Sequence, residues 1–162
     1  MMRLRPYALF PASLAVALLL GLLPIPSELA GLKPFWLALV ICYWLLEAPE
    51  RVGLGVAFAV GIAADVVHGS LLGEHALRLC MLAFIVLRFR ARLRFFTLWQ
   101  QALAVGAMLL NDRVVVLMIR GFSGEAMPPL AFWLSPLVGM ALWPWLFLAL
   151  DGLRLRARQR GG

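Results

Sequence analysis

The residues best suited to chemistry lie between Gly61 and Leu77, in "GIAADVVHGSLLGEHAL", and again in "LLNDRVVV". The first stretch holds Asp65, His68, Glu74 and His75, with Arg78 just beyond; the second holds Asn111, Asp112 and Arg113. Carboxylates and imidazoles together are the ligand types of zinc. Asp65, His68, Glu74 and His75 nonetheless match no familiar ligand spacing, and no metal site or cofactor is expected. A proton path would need acidic groups through the depth of the protein, whereas Glu47, Glu50 and Asp151 sit only at segment ends. Nucleophilic catalysis lacks support too. There is no GxSxG elbow, no P-loop and no dinucleotide fingerprint, so the chain is expected not to be an enzyme.

What must position these groups is set by composition. The 162 residues are 64% hydrophobic and 14% charged, with a mean hydropathy of +0.93. Soluble domains are nearer half apolar with about a quarter charged. A domain this small cannot hide such an excess in a core, so lipid is the expected solvent. Backbone groups in hydrocarbon must be satisfied internally, by helices or closed barrels. The apolar runs are continuous rather than alternating, which selects helices. The N-terminal run lacks a small-x-small cleavage site and reads as an uncleaved span.

Charge, Gly and Pro divide the chain into six apolar segments, about 7–23, 34–46, 52–67, 75–87, 98–119 and 132–150, followed by a basic tail, 152–162. The expected fold is a single all-α integral membrane domain, a six-transmembrane-helix bundle. Five spans with one interfacial segment is the rival count, because segments two to four are short against the roughly 20 residues of a full span. Six spans with both termini cytoplasmic place eleven of the fifteen Lys/Arg inside, including Arg88, Arg90, Arg92 and Arg94, then Arg154, Arg156, Arg158 and Arg160. That satisfies the positive-inside rule. These arginines are expected to fix topology and touch anionic lipid. The net charge of +7 is therefore assigned to the membrane and not to nucleic acid. The six tryptophans lie mostly near segment ends, as in interfacial belts. Cys42 and Cys80 have no CxxC spacing and read as apolar fillers.

Gly53, Ala57, Gly61, Asp65, Gly69 and Gly73 recur every four residues. That spacing keeps them on one helix face, where small side chains let another helix of this chain or of a partner approach. Asp65 is costly in lipid and needs a bond, from Arg78, from Arg113, or from free backbone N–H groups that it or Ser70 would cap. Glu74 and Arg78 have the spacing of a helix-surface pair. Asp112 and Arg113 project about 100° apart, so they meet different neighbours, with internal salt bridging expected. The buried polar set is thus Asp65, Arg78, Asp112 and Arg113.

Several landmarks resemble the rod shape-determining protein MreD family. They are Lys33-Pro34, Tyr43-Trp44, "PERV" from Pro49, Gly55, Phe58, Gly61, "DVVHGSLLGEHAL", "LWQQAL" from Leu98, Asp112 and "WPWLFL" from Trp143. The resemblance implies a non-enzymatic inner-membrane subunit of the rod complex, or elongasome. Its implied partners are MreC, MreB, RodA and a class B penicillin-binding transpeptidase, which together maintain rod shape during peptidoglycan synthesis. The family's fold is likened to the vitamin-binding S components of energy-coupling-factor transporters. A small-molecule binding or transport subunit is therefore the alternative. The resemblance assigns no role to His68 or His75.

Overall fold

A computed structural model describes residues 8–24, 26, 33, 35–48, 50–69, 72–126 and 130–161. The expected capping role of Ser70 falls outside these residues, as do Arg3 and Arg5, two of the eleven basic residues placed in the cytoplasm. All regular elements among the described residues are helical. They are α1 (Leu9–Leu22), α2 (Trp36–Glu47), α3 (Leu54–His68), α4 (Glu74–Leu93), α5 (Leu98–Ser123), a 3₁₀ turn (Leu130–Leu134) and α6 (Ser135–Gly161). Two of them, α5 and the last helix, are long and apolar enough to cross a membrane.

The core is organised around α2. All ten residues from Leu37 to Leu46 are buried. A helix that is apolar all round is stable only when sheathed by others. Here α1, α4, α5 and α6 pack against it. Its polar edges are met one by one: Trp44 Nε1 donates to Ser13 Oγ of α1 at 2.9 Å, and Tyr43 Oη donates to Asp151 of α6 at 3.2 Å. Trp143 is also fully buried, against Phe147. Trp44 and Trp143 therefore belong to the core, and the interfacial expectation fails for Trp44, which lies near a segment end. Large apolar side chains also cover the outside: Leu19, Phe84, Val66, Met118 and Trp145 are all exposed.

Helix ends follow local chemistry. Thr97 and Gln100 form a reciprocal capping box that starts α5, satisfying two free N–H groups at once. Gly69 and Gly124, at φ 67° and 72°, end α3 and α5 in the left-handed conformation that glycine adopts without strain. Several boundaries differ from expectation, among them that of α5, which runs past 119 to Ser123. α4 runs on through "RFRARLR" to Leu93, and the basic tail is a continuation of α6. Arginine is a good helix former, and cations near a helix C-terminus complement its dipole, so charge does not end these helices. Pro144 lies inside α6 without ending it.

Candidate functional site at the polar end of the bundle

α3 and α4 are joined by a short turn, and Asp65 ties them together. Its carboxylate accepts the backbone N–H of Gly73 at 2.7 Å and of His75 at 2.8 Å, and the His75 Nδ1–H at 2.9 Å. Gly73 is the N-cap of α4 and His75 its second residue, positions whose N–H groups have no partner within the helix. Asp65 thus caps α4 from the end of α3. It bonds to neither Arg78 nor Arg113, the cationic partners considered for it, because the closer amides supply the donors. His75 is a partner that sequence spacing does not single out. The His68 ring stacks on His75, with centroids 5.1 Å apart, and its Nδ1 donates to Ala64 O.

The four-residue row is divided by the same turn. Ala57, Gly61 and Asp65 are buried on one face of α3. A methyl group at Gly61 would overlap the backbone of Ala76, so this face packs against α4 of the same chain. Gly69 and Gly73 lie beyond the helix, both at positive φ. They shape the turn and do not extend the packing face. Gly53 stands at the N-cap of α3, where a methyl group would meet nothing within 4 Å.

Arg78 turns away from Glu74 and reaches across to α5. Its Nε and Nη2 each donate to one oxygen of Asp112 at 2.8 Å. Both side chains are buried, at 8% and 5% exposure. A surface pair with Glu74 is thereby corrected: in a low-dielectric interior a forked guanidinium is best satisfied by a carboxylate it can engage through two parallel bonds. Arg113, one residue on, points elsewhere as the helix geometry requires. Its Nη2 donates to Ser135 Oγ at 2.7 Å, and Ser135 donates in turn to the Lys33 carbonyl. Arg78 lies over the Phe35 ring and Arg113 over Phe132. Lys33 Nζ donates to Gly21 O and Leu23 O, so a cation covers the C-terminal carbonyls of α1.

The opposite end of the bundle is basic. Arg154 donates to Glu47 Oε2 at 3.0 Å, Arg90 Nε to Leu46 O at 3.0 Å, and Gln101 Nε2 to Leu93 O at 2.8 Å. These bonds gather the C-termini of α2, α4 and α6 with the start of α5. Arg90 and Arg154 thus have intramolecular partners as well, while Arg88, Arg92, Arg94, Arg156, Arg158 and Arg160 are exposed. Cys42 and Cys80 are free thiols. The described residues contain no group of three or more metal-ligating side chains.

The chain matches the family model of rod shape-determining protein MreD over residues 2–152. It is 33% identical to the rod shape-determining protein MreD of Haemophilus influenzae over 143 residues, 88% of each chain. No solved structure matches it. The polar residues of the site lie within the matched region, and the chain belongs to the rod shape-determining protein MreD family.

Proposed function

We propose that the protein is a non-enzymatic, multi-pass subunit of the rod complex in the inner membrane. It docks partner helices, chiefly that of MreC, and thereby links MreB, RodA and the class B transpeptidase that elongate the wall. Family membership carries this reading. The site's chemistry supports it: both buried carboxylates among the described residues are engaged in bonds that hold helices together, Asp65 joining α3 to α4 and Asp112 joining α5 to α4. An acid or base at work must exchange its proton with a substrate, and a carboxylate held by two parallel guanidinium bonds is poorly placed to do so.

Six crossings suit the arrangement of the ends, with the N- and C-termini cytoplasmic and the exposed arginines among the lipid phosphates. The same reading gives the bundle the six-helix count of an S component. Since the buried face of α3 is occupied by α4, partner contact falls to its outward face, where Leu54, Phe58 and Val66 are exposed. Depletion from its host tests the function. Rods should become round, and the protein should co-purify with MreC through crosslinks along the outward face of α3. Cells that stay rod-shaped after complete depletion sink the reading.

A further inference from the structure

A cavity of about 240 Å³ opens at the polar end, between α1, the start of α2, and the ends of α3 and α4 against α5. Lys33, Arg78 and Arg113 line it beside the apolar walls of Leu18, Phe35 and Trp36. Three fixed cations therefore face one small space. Asp112 has both oxygens bonded to Arg78. Asp65 is held behind the cavity by amides of α4 and by His75. Among the described residues no carboxylate lies within ion-pair distance of Arg113 or Lys33.

Hydrogen-bonding capacity is left over as well. Arg78, 8% exposed, bonds through Nε and Nη2 only, and Arg113 through Nη2 only. Both guanidinium residues line the same cavity. Arg113 and Lys33 are half-buried with no carboxylate bonded to them, and a guanidinium fork matches the oxygens of phosphate. The aromatic and aliphatic walls beside the cations would favour a ligand with an apolar portion.

We propose that this cavity binds a phosphate group, carried by a lipid headgroup or free in solution, on Arg113, Lys33 and the open edge of Arg78. The site is independent of partner docking, which uses the outward face of α3. The apolar walls beside the cations favour the lipid source.

Purified full-length protein in detergent provides the test. Phosphatidylglycerol, phosphatidylcholine and inorganic phosphate are titrated separately, with tryptophan fluorescence, thermal unfolding and native mass spectrometry as readouts. Trp36 on the cavity wall reports occupancy. Phosphatidylglycerol is expected to bind and raise the unfolding temperature, with phosphatidylcholine weaker. Arg113→Gln should weaken binding by roughly tenfold or more, the scale of one lost charge-assisted hydrogen bond. Arg156→Gln, exposed at the far end, should leave it unchanged. Lys33→Gln serves as a second variant, because it lies outside the helices and leaves the Arg78–Asp112 pair intact. Saturation by inorganic phosphate that lipid cannot displace would assign the site to a free phosphate. Absence of binding by both, or equal loss in Arg156→Gln and the cavity variants, overturns the proposal.

Discussion

Arg78 of α4 grips Asp112 of α5 through two parallel hydrogen bonds of 2.8 Å, 34 residues apart in the chain and both buried. This pair joins two helices that otherwise share a modest contact. Removing one partner leaves a buried charge unanswered. Asp112→Leu or Arg78→Met alone should cost about 3–5 kcal/mol, whereas the double variant should recover most of the loss. Denaturant unfolding in detergent measures the cycle. Additive single losses would mean that the pair does not couple α4 to α5.

Gly61 is tested by the smallest possible change. Gly61→Ala places a methyl on the Ala76 backbone and should cost about 1–3 kcal/mol, as overpacking does. Gly61→Leu should prevent α3 from seating on α4. His68→Ala, at an exposed ring, should stay within about 1 kcal/mol of the parent. Melting temperatures of the three variants, compared at equal expression, decide the order. A reversed order would shift importance to the histidine.

Asp65→Asn should act locally. An amide in place of the carboxylate turns one acceptor into a donor facing N–H groups, at a cost of about 1.5–3 kcal/mol. Hydrogen exchange should accelerate at the Gly73 and His75 amides and leave the middle of α5 unchanged. Uniform acceleration across the bundle would contradict a capping role.

Glu47 and Arg154 form the contrasting pair. Their side chains retain 19% and 16% exposure. Glu47→Gln should therefore cost under about 1 kcal/mol, and the difference should shrink in high salt. A loss as large as that of Asp112→Leu would show that the basic end is as dry as the polar end.

Orientation is open to fusion reporters. Green fluorescent protein fused after Gly162 should fluoresce, and alkaline phosphatase there should be inactive. A phosphatase fused after Ser123, at the end of α5, should be active. The reverse pattern refutes a cytoplasmic C-terminus.

The parts of the fold legible in the sequence are those governed by short-range chemistry. Long apolar runs announce the helices, and the four-residue spacing around Gly61 announces a close helix approach. "TLWQ" carries the S/T-x-x-Q pattern of the capping box, a local signal sufficient to mark the start of α5. Asp65 is recognisable as needing donors, and backbone capping is one way to supply them. Its use of His75, and the choice of Asp112 over Glu74 by Arg78, depend on how α4 lies against its neighbours, which no local spacing encodes. Trp44 misleads for the same reason: a tryptophan near a segment end looks interfacial until neighbouring helices cover it. The reach of α4 and α6 through their arginines is hidden because charge marks the end of an apolar run and leaves the helix itself intact.

The enclosure of α2 has a consequence for its length. Its 12 residues rise only about 18 Å, well short of a hydrocarbon layer near 30 Å. Hydrophobic mismatch penalises a helix where it meets lipid, and α2 meets other helices on every side. It behaves as the axle of the bundle rather than as a stave of its wall. Selection on α2 should therefore act on side-chain volume and shape, and bilayer thickness should constrain the outer helices alone.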